Sequence, residues 1–209
     1  MALLLVWTWV KENIMPLGAF KAALMGTAGV STGDVVLLST QTASNSASLS
    51  FTSDITSTYG EYILNFYNIN PATDIGYFHW QGSTDGGSSY GVNMTTTAFN
   101  AYHKEDDSQA DIGYIGGSDL AQSTSYQQLA VSIANDADGS CAGTLHLFNP
   151  ASTTYVKHFY STFQGMDHDD VSQNAYMAGY INTTSAIDAL NFKFASGNFD
   201  GKIKMWGVK

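Results

Sequence analysis

From Asp34 to the C-terminus, apolar and polar residues alternate in short runs separated by turn residues. The runs predict strands over 34–40, 47–53, 60–69, 75–82, 90–103, 126–134, 142–148, 154–163, 174–182, 187–195 and 201–208. In 60–69, Tyr62, Leu64 and Phe66 share one face; in 187–195, Leu190, Phe192 and Phe194 oppose Asn191 and Lys193. Near the end, Ile203 and Met205 oppose Lys202 and Lys204. A period of two places one strand face in a core and the other in water. The connections carry turn chemistry at Asn70-Pro71, Asp85-Gly86-Gly87, Asp138-Gly139, Asn149-Pro150, Gly197-Asn198 and Asp200-Gly201. Many short strands without a long helical pattern predict an all-β fold, an antiparallel β-sandwich of jelly-roll type over 34–209. Residues 104–125 read as an exposed excursion holding one short strand, and no repeat of solenoid or propeller period is present.

Residues 1–33 break the pattern and read as an N-terminal arm. Residues 2–10 (ALLLVWTWV) are an apolar run, too short for a membrane span of about 20 residues. The run lacks the basic start of a signal peptide. Residues 16–26 carry a short-helix signal, with Pro16 in a first-turn position and Leu17, Phe20, Ala23 and Leu24 at helical spacing. Leu5, Trp7, Trp9, Leu17 and Phe20 are the expected assembly contacts of this arm, because an apolar stretch of that size needs a surface to pack on. Initiation at Met1 and at Met15 are both compatible with the sequence.

Charge narrows the partners. Among 209 residues there are 8 lysines, no arginine and 18 acids, for a net charge of −10. Nucleic-acid binding is excluded, since phosphate recognition needs clustered cations, and anionic membranes are disfavoured. Charged residues are only 12% of the chain, which leaves a surface of hydroxyls and amides. The single cysteine, Cys141, permits no intrachain disulfide and no multi-cysteine metal site.

Little in the sequence carries chemistry. Ser83-Thr84-Asp85-Gly86-Gly87-Ser88-Ser89-Tyr90 fits the Asp-box pattern S-x-D-x-G-x-x-aromatic and predicts a structural turn built on Ser83, Asp85, Gly87 and Tyr90. In it a carboxylate accepts turn amides and glycines take positive φ. The acid clusters Glu105-Asp106-Asp107 and Asp167-His168-Asp169-Asp170 are the places where a hydrolase or a structural Ca²⁺ would be sought. Both read as solvated loops. Asn135–Gly139 imitates a calcium loop, but the twelfth position counted from Asp136 is Leu147 rather than Glu. His79, His103, His146, His158 and His168 show no metal-ligand spacing. His79, His146 and His158 fall on the solvent-side or subunit-facing parity of their strands. Catalytic residues, cofactors and metals are therefore expected to be none. Tyr77, Trp80, Tyr102, Tyr114, Tyr176 and Tyr180 are the aromatics able to stack on sugar rings, against the plainer reading of core or interface packing.

The C-terminal run from Phe192 to Lys209, FKFASGNFDGKIKMWGVK, resembles the last strand pair of small virion proteins of tailed bacteriophages, especially marine ones. Residues 59–73, 145–158 and 183–190, the 83–90 turn and the start MPLGAFKAAL at Met15 agree with the same group. The resemblance covers most of 15–209 and leaves 1–14 outside. It implies a non-enzymatic structural protein of the virion, capsid-decorating or a tail or fibre component, assembled in the host cytoplasm. Its implied partners are other virion proteins and further copies of itself as a homo-oligomer. The alternative is a lectin-like host-recognition module binding a host-surface glycan; a secreted glycosidase, needing two facing carboxylates, stands third.

Overall fold

A computed structural model describes residues 34–209. The expected contacts Leu5, Trp7, Trp9, Leu17 and Phe20, and the expected helix at 16–26, lie outside the described residues. Residues Val35–Lys209 form one compact unit. It is all-β and antiparallel, with twelve strands: β1 (Val35–Ser46), β2 (Leu49–Phe51), β3 (Glu61–Pro71), β4 (Gly76–Ser83), β5 (Met94–Lys104), β6 (Ala110–Tyr114), β7 (Gln127–Ile133), β8 (Cys141–Phe148), β9 (Lys157–Asp167), β10 (Val171–Ile181), β11 (Ala189–Phe194) and β12 (Phe199–Val208). The twelfth strand, β6, is the one expected inside the 104–125 excursion. Among the described residues no helix is long and apolar enough to cross a membrane.

Two runs of four strands organise the molecule. One is β1-β12-β3-β8 and the other β7-β4-β11-β2. Two separate sheets are not what forms, however. The eleven-residue β9 pairs with β8 along most of its length, and its Asp167 end pairs with Ile133 of β7. Strand twist carries that end from one run to the other, so nine strands follow one path that coils almost into a closed barrel. At the opposite seam, the Gln41 amide on β1 donates to the Ser50 carbonyl between β1 and β2 at 2.6 Å. Beyond β9 the first run widens through β10, β5 and β6. The C-terminal strands β11 and β12 are consecutive but do not pair with each other. β11 joins β4 and β2, while β12 joins β1 and β3.

The alternation read from sequence produces the core. Tyr62, Leu64 and Phe66 of β3, Phe192 of β11, and Ile203 and Met205 of β12 are sealed from solvent. Phe66 sits at the centre, with ring centroids 5.8 Å from Phe78, 4.9 Å from Phe163 and 5.2 Å from Phe192. Gly143 makes room for this packing: a Cβ there would fall 2.5 Å from the Phe163 ring. Trp80, one of the sugar-stacking candidates, takes the plainer role of core packing: it is fully buried with its ring 4.8 Å from Phe159. It shares the inward parity of Phe78, whereas Tyr77 points the other way.

Candidate functional site

The Ser83–Tyr90 turn is built by its own hydrogen bonds. The Ser83 hydroxyl donates to Asp85 Oδ1 at 2.6 Å and accepts from the Asp85 and Gly87 amides. Ser89 donates to Asp85 through its amide (2.9 Å) and its hydroxyl (2.6 Å). Hydroxyls from Ser83 and Ser89 hold the Asp85 carboxyl down at about 2. Gly86 and Gly87 take φ of +69° and +84°, and a Cβ on Gly87 would lie 2.7 Å from the Tyr90 hydroxyl. The Gly86 amide donates to Asp188 Oδ1 at 2.9 Å, which ties the turn to the entry of β11. This geometry orders backbone and spends its carboxylate internally.

The structure brings the two acidic clusters to one end of the β5–β10 pair. The Glu105 amide donates to the Asp170 carbonyl at 3.0 Å, and Glu105, Asp106, Asp169 and Asp170 line one concavity with Lys104. Beside it, His168 Nδ1 is 2.8 Å from Asp167 Oδ1, and its Nε2 is 3.5 Å from Asp169 Oδ1. Desolvation raises the pKa of the mostly buried Asp167 carboxyl, opposed by the Asp169 amide and by His168. Asp167, His168 and Asp169 offer atoms close enough to hold one cation, but they already satisfy one another. In the Asn135–Gly139 loop, the carbonyls of Asp136 and Gly139 accept from the Asn70 side-chain amide, so they face β3 rather than an ion.

The remaining features belong to the outward faces. Outside the second run, residues 115–126 form a roof. The fully buried Gln81 amide donates to the carbonyls of Val92 (3.3 Å), Thr124 (3.2 Å) and Ser125 (2.9 Å), and its oxygen accepts from the Gly82 amide. Tyr126 donates to Asn191 Oδ1 at 3.1 Å and lies 4.2 Å beneath the Lys193 ammonium. Asn191, expected in water, is consequently buried. Burial, with Lys193 nearby, lowers the His79 pKa to about 4. At the roof's edge, Tyr77, Asn100, Gln128, Ser132 and Gln173 line a concavity of about 380 Å³.

Outside the first run there is no roof among the described residues. His146 stacks on Tyr160 at 4.5 Å and reaches Glu61 at 2.6 Å, and Phe99 stacks on Tyr176 at 4.7 Å. The register aligns Leu37, Trp206, Ile63, His146 and Tyr160 across five strands on this face. His158 and the expected sugar-stacking residues Tyr114, Tyr176 and Tyr180 also fall here, while Tyr102 lies on the opposite face of β5.

Sequence reasoning missed Lys157. It is fully buried, its ammonium donating to the Thr183 carbonyl at 3.0 Å, and burial lowers its pKa. Only the inward parity of position 157, shared with Phe159 and Phe163, signals this. Cys141 is buried and its thiol pKa is pushed up by desolvation, which suits a small core residue. Compared with known proteins, the chain matches no family model and no curated sequence.

Proposed function

We propose that this chain is a non-enzymatic structural protein of a tailed-phage virion, built on a jelly roll and working by assembly with other subunits. The observation that carries the reading is the strand order. Numbering the eight strands of the two runs along the chain, the first run holds the first, eighth, third and sixth. The second run holds the fifth, fourth, seventh and second. That interleaving supports a jelly-roll reading, an arrangement shared by viral coat and lectin domains, with the β5–β6 and β9–β10 pairs as insertions. The C-terminal residues that resemble phage virion proteins supply most of β11 and all of β12, an inner strand of each run. The first 14 residues fit an attachment element that fixes the chain to the particle. Mass spectrometry of purified particles tests the reading. The full chain should be recovered at fixed stoichiometry, and deletion of residues 2–14 should leave a folded protein that no longer co-purifies. Recovery only in the soluble fraction contradicts it.

A second reading, glycan recognition, is favoured by the concavity at the roof's edge. Its lining is uncharged, and Asn100, Ser132 and Gln173 have no side-chain hydrogen-bond partner among the described residues. Amides beside the Tyr77 ring suit a neutral sugar. Glycan-array binding that disappears in Tyr77→Ala supports it, and an array without signal contradicts it.

A further inference from the structure

The open outer face of the first run is the least expected surface on the molecule. Nine large apolar side chains are exposed among the described residues, and all but Ile75 and Tyr155, both in loops, lie on this face. Val35 and Leu37 come from β1, Tyr67 from β3, Tyr160 from β9, Phe99 from β5, and Ile112 and Tyr114 from β6. The antiparallel register fixes them to one side of the sheet. Dispersed apolar residues on a surface need no explanation, whereas a contiguous apolar face does.

We infer that this face is the surface through which two copies of the chain pair, sheet against sheet. Charge favours a second copy as the occupant. The chain carries −10 overall, so self-association meets repulsion almost anywhere. Within the strands of this face, however, the only outward acids are Glu61 and, at a corner, Asp200, and they are matched by Lys202 and Lys204. The face is neutral where the molecule is not. Size agrees: eight strands about 4.8 Å apart, over five or six residues at about 3.3 Å each, give on the order of 600–700 Å². That falls within the roughly 600–1,000 Å² per partner of a stable interface. Twisted sheets pack face to face at about 30°, with rows of side chains interdigitating, and the aromatic rows at His146–Tyr160 and Phe99–Tyr176 supply such ridges. An isologous pair would place the same rows on both partners.

The inference rests on the assembly reading and adds the surface and the partner to it. Sedimentation equilibrium of the full chain should give a species of at least twice the 22.4 kDa protomer. Tyr160→Glu and, separately, Phe99→Glu should weaken pairing by 100-fold or more, because each would bury an unpaired carboxylate in the interface. Thr84→Glu, exposed in the Ser83–Tyr90 turn beside the second run, should leave it unchanged. Circular dichroism identifies variants that have kept the fold. Should neither do so, oxidative footprinting of the unmodified chain at high and low concentration decides, with protection of Tyr160 and Phe99 expected on pairing. A monomer at all concentrations, or pairing untouched by folded face variants, overturns the inference while leaving the virion reading to the particle experiment. Loss of pairing on deletion of residues 2–14 also overturns it, since the arm would then be the occupant. Pairing through this face by a chain missing from particles would sink the virion reading alone.

Discussion

The two outward faces of the sheet solve the same problem in opposite ways. Outside the second run the chain covers itself, and the cover is held by polar groups: Gln81, Asn191, Tyr126 and Gln127 all find partners within the molecule. Outside the first run the strands offer rings and aliphatic side chains with nothing from 34–209 above them. A buried amide network specifies one arrangement and punishes any other. An aromatic surface tolerates small adjustments and gains from whatever excludes water. The roof is part of the fold, whereas no described residue covers the open face.

Breaking the roof should cost most. Gln81→Leu removes two N–H donors, shared among three carbonyls, and one acceptor; at about 1 kcal/mol for each of the three, urea unfolding should show a loss of about 3 kcal/mol. Acid sharpens the same contrast through His79. Its folded pKa is lowered from 6.5 to about 4, so below the ordinary value the unfolded chain takes up a proton that the folded chain refuses. Stability should therefore fall as pH drops from about 6.5 to about 4, by up to about 3 kcal/mol, and change no further from this group below that. His79→Gln should flatten this part of the profile. At the hinge where the chain leaves β4, Gly87→Ala forces a left-handed backbone on a residue with a Cβ, against Tyr90 and Thr52; the expected loss is about 2 kcal/mol. On the open face, Tyr160→Ser should lower the stability of the dilute protomer by no more than about 1 kcal/mol, the contribution of its stack on His146. A large loss there would mean the face belongs to the fold after all.

Periodicity made the strands legible. All eleven runs became strands, and the β3, β11 and β12 alternations placed Phe66, Phe192 and Ile203 inside. Pairing was not legible, because alternation says which side a residue faces and nothing about its neighbour strand. Hence β11 and β12, adjacent in sequence, belong to opposite runs, and the crossing of β9 to β7 had no signal. Trp80, a sugar-stacking candidate by residue type, follows the plainer reading of core packing, as its shared parity with Phe78 requires. Asn191 and His79 had the outward parity expected, but the roof over them is a tertiary event recorded only in the partners of Gln81. The Ser83–Tyr90 turn was readable because its interactions are local. The meeting of the two acidic clusters was not, because it depends on β5 pairing with β10.

Side-chain oxidation by hydroxyl radicals tests most directly whether the open face is a partner surface. The full chain would be footprinted across a concentration series spanning its association. Protection of Tyr160, Phe99, Tyr114 and Leu37 should rise together with concentration, while Tyr126, in the roof outside the second run, keeps its dilute-state reactivity. Protection confined to other surfaces, with Tyr160 and Phe99 as reactive in the assembled state as in the dilute one, would contradict the account.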